Sequence, residues 1–386
     1  MKKTVAKYLC ILLSVALLFT ALPLTVYAED SVTVKDVGSA TELETVCYEI
    51  NTNGGEYVIN LTGDIENGSM SIKKESAVVT VIGNGHTIFT SNYAFYIENG
   101  AKVNLGDEIS KLIIEGDNQS HHDPGLVYIK RGSTCIMNNN VTLKNHKGDN
   151  YLGGGVTVEG GTFVMNGGNI DNCGIGSNCE ATDFGGGVAM VGAGNINKLN
   201  SRFNLISGTI SGNKASGGAG VFASGYHFAK TNPISMNATI DGISVPSSGG
   251  TSGGTESIAA SNPGLFINGG LITENTATGT YDSAVSLYAK GLGGGILVSY
   301  NSNKVFQIYN AKITSNNAEY GAGISSFYFK TNADIDGCEI TGNTAAKNGG
   351  GVYLTKNDNS SKTTISNTTI TGNTSGDRGA GVYYQQ

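Results

Sequence analysis

The stretch "TTISNTTITGNTSGDRGAGVYYQQ", residues Thr363 to Gln386, decides the fold of this chain. In it, small polar residues and glycines surround a few isolated apolar residues, at Ile365, Ile370 and Val382. Such a segment cannot bury a core of its own. It suits an architecture in which each short segment supplies one or two buried side chains and stacking of neighbours completes the core.

Two motifs of this stretch recur along the chain. The first has an isoleucine followed three residues later by asparagine, at Ile210–Asn213, Ile272–Asn275, Ile313–Asn316, Ile340–Asn343 and Ile370–Asn373. The second is glycine-rich and ends in Val or Ile, at Gly153–Val156, Gly185–Val188, Gly218–Val221, Gly293–Ile296, Gly321–Ile324, Gly349–Val352 and Gly379–Val382. The glycine motif recurs about every thirty residues, apart from one longer interval between Val221 and Ile296, and this period indicates a solenoid.

Short runs with period-two alternation lie at and between these motifs. In "GVYL", for example, Val352 and Leu354 point to one face and Tyr353 to the other. Short strands, sharp corners and one inward isoleucine per repeat predict an all-β, right-handed parallel β-helix of about ten coils that stack about 4.8 Å apart. The motif asparagines are expected to take the left-handed backbone region in a turn and to form amide ladders along the axis.

The predicted organisation has three parts. Residues 1–28 read as a secretory signal, with Lys2, Lys3 and Lys7 before an apolar run and Ala28 at a small-residue cleavage site. Residues 29–54 are expected to form an N-terminal cap, and residues 55–386 the β-helix. A Gly/Ser-rich insertion is expected near 222–264, and the C-terminal coil reads as uncapped, so that its strand edges would pair with a partner or with missing coils.

The cap is predicted to contain the one clear helix, in "SATELETVCYEI". Ser39 and Glu42 form a capping box at its start. An apolar stripe follows at Leu43, Val46, Cys47 and Ile50. A helix here would cover the open end of the first coil.

Charge and cysteine content exclude several classes of function. The formal net charge is −7, and about −10 without the three leader lysines, which disfavours nucleic acid and anionic membranes as partners. No later segment is long and apolar enough to span a membrane. Five cysteines remain outside the leader; Cys173 and Cys179 could close a small loop, and no spacing suggests a metal site or a cofactor.

The alternating GGG-V or GAG-I and I-T-G-N motifs resemble the repeats of bacterial right-handed parallel β-helix surface proteins, including those of polymorphic outer membrane proteins. That family pairs GGA-[ILV] with F-x-x-N; here the glycine motif reads GGG or GAG, and an F-x-x-N match lies at Phe163–Asn166. The resemblance covers roughly residues 55–386. It implies a secreted or cell-surface protein with an adhesion or structural role, although the family's membrane barrel is missing from this chain.

An enzyme is the alternative interpretation, because many β-helices are polysaccharide lyases or glycoside hydrolases of the pectate-lyase type. These need clustered carboxylates or acidic calcium ligands beside a base. The densest candidate lies in "EGDNQSHHDPG", at Glu115, Asp117, His121, His122 and Asp123. A solvated loop between two coils explains the same residues, so no catalytic residue is assigned.

The candidate partner surface follows the outward position of the glycine-led strands. The outward side chains of successive coils are Thr157, Ala189, Phe222, Leu297, Ser325, Tyr353 and Tyr383. A flat row with Phe222, Leu297, Tyr353 and Tyr383 could track a cell-surface glycan or a partner protein without catalysis. The opposing interpretation is that the long insertion folds over this row and covers it.

Overall fold

The structure is a computed structural model, which describes residues 32–117, 120–121, 124–148, 152–175, 184–192, 201–224, 237–240, 243–245, 264–279, 291–299, 306–327, 333–355 and 362–385. Thr33–Gln386 form one compact unit. The predicted secretory signal lies outside the described residues. No described helix is long and apolar enough to cross a membrane.

The predicted helix, α1, spans Ala40–Asn53, with Ser39 as its N-cap. The backbone N–H of Glu42 donates to Ser39 Oγ (3.3 Å), and the Glu42 carboxylate accepts from the backbone N–H of Gly38 (2.8 Å). The apolar stripe of α1 is buried against the first coil. Asn51 fastens the helix there, because its amide donates to the Ser71 carbonyl (2.7 Å) and its Oδ1 accepts from the Lys73 N–H (2.8 Å).

The remaining elements are short strands in four parallel sheets, which we number in the order in which the chain passes through them in one coil. Sheet 1 contains Thr33–Val37, Gly55–Leu61, Ala77–Ile82, Lys102–Leu105, Thr134–Met137, Thr162–Met165, Arg202–Leu205, Leu265–Asn268, Phe306–Tyr309, Ala333–Asp336 and Thr363–Ser366. Sheet 2 contains Thr87–Thr90, Leu112–Gly116, Val141–Lys144, Asn169–Asp171, Thr209–Ser211, Leu271–Thr273, Lys312–Thr314, Glu339–Thr341 and Thr369–Thr371.

The other two sheets complete each coil. Sheet 3 is formed by the two-residue strands Ser120–His121, Lys147–Gly148, Gly174–Ile175, Lys214–Ala215, Thr276–Ala277, Asn317–Ala318, Thr344–Ala345 and Thr374–Ser375. Sheet 4 contains Met70–Ile72, Phe95–Ile97, Val127–Lys130, Val156–Glu159, Val188–Val191, Val221–Ser224, Ile296–Ser299, Ile324–Phe327, Val352–Thr355 and Val382–Gln385. Within the expected insertion, Asn237–Ile240 and Ile243–Val245 form a separate antiparallel pair. Because each strand of the four sheets pairs with the equivalent strands of neighbouring coils, the fold is a parallel β-helix, as predicted.

The core is a column inside the coils. The motif isoleucines of sheet 2 are in register, and Ile340, which is 0% exposed, pairs with Ile313 on one side and Ile370 on the other. Larger side chains stack in the same way from sheet 1, where the rings of Phe163 and Phe203 lie nearly parallel with centroids 5.3 Å apart. One inward isoleucine per strand of sheet 2 therefore suffices, because each layer is closed by the layers above and below it.

The glycine motif makes the corner into sheet 4. Its first glycine takes a left-handed conformation, as at Gly321 (φ 59°), where a Cβ would lie only 2.8 Å from the Cβ atoms of Ser325 and Tyr353. The glycine at its third position lies against the next coil: a Cβ at Gly323 would lie 2.4 Å from the carbonyl oxygen of Gly351. The motif is thus required both by backbone conformation and by the close approach of adjacent coils.

The motif asparagines form the expected ladder, inside the helix. The ladder consists of Asn213, Asn275, Asn316, Asn343 and Asn373. The side-chain oxygen of each asparagine accepts a hydrogen bond from the backbone N–H of the residue at the ladder position of the preceding coil. Where that residue is also an asparagine, its side-chain amide donates to the same oxygen. The prediction of a left-handed conformation at these asparagines was wrong. Instead, the residue just before each asparagine takes the left-handed conformation, for example Gly342 (φ 66°) or Ser315 (φ 56°). This conformation turns the asparagine side chain inward.

Cys173 occupies the ladder position in an earlier coil. Its backbone N–H donates to Asn213 Oδ1 (2.9 Å), and its buried thiol is free and contacts the carbonyl oxygen of Asp171 (3.4 Å). Burial raises the pKa of the Cys173 thiol to about 12. The small loop closed by a disulfide is therefore not formed at Cys173, and Cys179 lies outside the described residues.

Candidate functional site

The predicted outward row exists, but most of it is buried. Side chains in register along the outer face of sheet 4 are Ser71, Tyr96, Tyr128, Thr157, Ala189, Phe222, Leu297, Ser325, Tyr353 and Tyr383. Phe222 is 1% exposed, Leu297 0% and Tyr353 6%, whereas Tyr383 is half-buried. The expectation that Phe222, Leu297 and Tyr353 form an accessible contact surface was therefore wrong.

The residues just before the glycine corners contribute to this burial. Phe184, Leu292 and Tyr320 join the outward row in a second apolar cluster outside the coil interior. The rings of Phe184 and Phe222 stack with centroids 4.7 Å apart, and those of Tyr320 and Tyr353 lie 5.4 Å apart. Because the left-handed glycine reverses the chain sharply, the side chain before it folds onto the outer face of the sheet.

The same row is accessible at its N-terminal end. Tyr96 and Tyr128 are half-buried neighbours, with ring centroids 5.3 Å apart in an edge-to-face arrangement, and Tyr93 lies beside Tyr96 at 5.5 Å. These two outward tyrosines were not predicted from the sequence, because their coils lack the glycine motif. The alternation in "FYIE" and "VYIK" was the signal that could have identified them, since Phe95 and Val127 point inward.

Charged side chains frame these rings, and we call the whole group, Lys73, Tyr93, Tyr96, Glu98, Tyr128, Lys130 and Glu159, the tyrosine patch. Lys130 Nζ lies 5.7 Å from the Tyr96 ring centroid and 5.5 Å from that of Tyr128, within cation–π range. Lys73 forms an ion pair with Glu98 (3.4 Å), and the Tyr96 hydroxyl donates to Glu98 (3.3 Å).

The electrostatics of the patch favour binding over proton transfer. The Tyr128 hydroxyl donates to Glu159, and its pKa is raised, first by burial and then by this carboxylate, so the phenol stays protonated. Burial opposes the charge of Lys130, but its contact with Tyr96 and the carboxylates of Glu159 and Glu98 raise its pKa overall. Neither the Tyr128 phenol nor the Lys130 amine can act as a general base near neutral pH, because each group keeps its proton at pH values well above 7.

The alternative acid–base cluster is not assembled among the described residues. Glu115 forms an ion pair with Lys144 (2.9 Å) and accepts from the Asn145 amide (2.7 Å), both on the neighbouring coil. Asp117 is exposed. His121 lies in a strand of sheet 3 without a described side chain, and His122 and Asp123 lie outside the described residues.

The part of the chain that the structure describes contains no group of three His, Cys, Asp or Glu residues that could hold a metal ion. Searches of protein-family models, of curated proteins and of solved structures find no match to this chain. The candidate site is therefore defined by its own geometry alone.

Proposed function

We propose that this chain is a secreted or cell-surface β-helix module that binds a glycan, without catalysis, through the tyrosine patch. The observation that carries the proposal is the half-buried pair Tyr96 and Tyr128, whose rings meet edge-to-face on adjacent strands of sheet 4. Aromatic faces with polar edges suit sugar rings. Adjacent parallel strands give such rings a fixed separation along the helix axis, which suits an extended polymer.

The charged frame supports the same function. Lys73, Lys130, Glu98 and Glu159 provide hydrogen-bond donors and acceptors next to the rings, as sugar hydroxyls require. Their mutual contacts hold the patch in place before a ligand arrives, and this lowers the entropic cost of binding. The resemblance to bacterial β-helix surface repeats and the sequence of residues 1–28 support the secreted or cell-surface location.

The test is a double variant, Tyr96→Ala with Tyr128→Ala, compared with the wild-type chain on a panel of immobilised polysaccharides. We expect the wild-type chain to be retained by at least one polysaccharide, and the double variant to bind it at least about tenfold more weakly. Tyr48→Ala is the matched control, because Tyr48 is 75% exposed on α1 and lies outside the patch. It should bind like the wild-type chain.

Circular dichroism and a thermal melt establish that each variant remains folded. Full retention of the folded double variant would refute binding at the tyrosine patch. Release of new reducing ends or of unsaturated sugars by the wild-type chain would refute the non-catalytic role and support the lyase or hydrolase alternative.

A further inference from the structure

A polar cleft opens on the outer face of sheet 1, away from the tyrosine patch in sheet 4. It lies across the strands Phe306–Tyr309, Ala333–Asp336 and Thr363–Ser366 of three successive coils. Its volume is about 340 Å³ and its lining residues are Tyr309, Asn310, Asp334, Asp336, Thr364 and Ser366. This volume is within the usual range of small-ligand sites, roughly 300–1,000 Å³.

Parallel pairing places the lining in two columns. Asp334 is in register with Thr364, and in the second column Tyr309, Asp336 and Ser366 follow one another. Because residues two apart on a strand face the same side, both aspartates point outward into the cleft. The cleft thus presents two carboxylates next to hydroxyls and a phenol ring.

The two carboxylates differ in their present partners. Asp336 Oδ1 accepts from Ser366 Oγ (2.7 Å) and Asn367 Nδ2 (2.8 Å), and these hydrogen bonds lower the pKa of Asp336. Asp334 makes no hydrogen bond or ion pair within the part of the chain that the structure describes. None of the six lining residues is basic.

Tyr309 forms the apolar wall. Its ring meets that of Phe266 edge-on, with centroids 6.1 Å apart, and its hydroxyl accepts from the Gln307 amide (2.9 Å), which fixes its orientation. The pKa of Tyr309 is raised, first by burial and then by the charge of Asp334, so the negative field of the cleft reaches the phenol.

We propose that this cleft binds a pyranose ring that bears a protonated amine, the chemistry of a 2-amino-2-deoxyhexose unit in a glycan. The ammonium group pairs with Asp334 and Asp336, the ring packs on Tyr309, and ring hydroxyls exchange hydrogen bonds with Asn310 and Thr364. A lysine side chain of a peptide would also satisfy the carboxylates. It offers no hydroxyl groups that could hydrogen-bond with Asn310 and Thr364, which favours the sugar.

The test is a titration of the wild-type chain with three probes at low salt and slightly acidic pH: a glucosamine oligosaccharide, its fully N-acetylated form and a lysine-containing tripeptide. We expect the amine-bearing oligosaccharide to bind at least tenfold more tightly than either of the others. Its binding should weaken as salt is added, since screening reduces the attraction between exposed charges.

Asp334→Asn is the decisive variant, because Asp334 makes no hydrogen bond or ion pair among the described residues whose loss would unfold a coil. It should weaken binding of the glucosamine oligosaccharide at least tenfold. Asp377→Asn is the matched control, since it removes the same charge from an exposed position outside the cleft, and it should leave binding unchanged.

Three results would each overturn the proposal. The amine-bearing probe could fail to bind, or the acetylated oligosaccharide or the tripeptide could bind as tightly as it does. The Asp334→Asn variant could bind the amine-bearing probe like the wild-type chain. The double tyrosine variant of the patch should bind this probe as the wild-type chain does. The two proposals therefore succeed or fail independently.

Discussion

Replacement of one rung of the asparagine ladder, Asn316→Ala, should destabilise the β-helix far more than its size suggests. The Asn316 side chain accepts from the backbone N–H and the amide of Asn275, and it donates to the Ile272 carbonyl and to Asn343 Oδ1, each at 3.0 Å. Asn316 is 1% exposed, and Asn275 and Asn343 are 0% exposed. Water therefore cannot easily replace the lost partner.

The magnitude follows from these four contacts. A net value of about 1 kcal/mol for each hydrogen bond gives a loss of about 4 kcal/mol in the free energy of unfolding. The backbone N–H of Asn275 is also left buried without an acceptor, and an unsatisfied buried donor lowers the free energy of unfolding further. The neighbouring substitution Asn317→Ala is the control; Asn317 is exposed, so the cost should be below about 0.5 kcal/mol.

The assay is urea unfolding followed by circular dichroism, combined with hydrogen exchange of the Asn275 amide. Exchange is informative because a solenoid can open over a few coils without unfolding as a whole. The Asn275 amide should exchange much faster in Asn316→Ala and at the wild-type rate in Asn317→Ala. If the two variants lost the same stability and the Asn275 amide stayed protected, the ladder would not be a stabilising network.

Three further predictions test the core, the glycine corner and the cap. Ile340→Ala should cost about 2–5 kcal/mol in urea unfolding and Thr341→Ala below about 0.5 kcal/mol, and equal costs would contradict the register of sheet 2. Gly323→Ala should cost about 1–3 kcal/mol in the same assay, because the new Cβ would lie 2.4 Å from a carbonyl oxygen of the next coil; an unchanged urea midpoint would refute this. The pKa of Glu42 is lowered, mainly because of the hydrogen bond from the backbone N–H of Gly38. The contribution of Glu42 to the free energy of unfolding should therefore be complete above its ordinary pKa of 4.5 and be lost as the pH falls through the lowered pKa. Glu42→Gln should remove that part of the pH dependence, and identical acid unfolding curves for the two chains would show that the cap bond is not formed.

Much of the fold could be predicted from the sequence because its determinants are local and periodic. A repeat of fixed length, one inward isoleucine per repeat and a glycine before each strand of the later coils are sufficient to predict parallel stacking, and the register of Ile313, Ile340 and Ile370 confirms it. The helix could be predicted for the same reason, since its start is fixed locally: Ser39 Oγ accepts from the backbone N–H of Glu42, and the Glu42 carboxylate accepts from the backbone N–H of Gly38.

The accessible surface, in contrast, was decided by the tertiary structure. Alternation along a strand distinguishes the inward from the outward side, but it does not show what lies outside the coil. Phe222 and Tyr353 are outward as predicted, yet Phe184 and Tyr320 pack on them, because the corners before the glycine-led strands direct those rings over sheet 4.

The candidate sites depend on contacts between coils. Tyr96 and Tyr128 belong to coils without the glycine motif, and only stacking brings their rings to 5.3 Å. Asp334 likewise meets Tyr309 and Thr364 only because three separate coils pair in register. The sequence by itself determined which residues face inward, since that depends on local alternation, whereas the composition of each surface site depends on which coils lie next to one another in space.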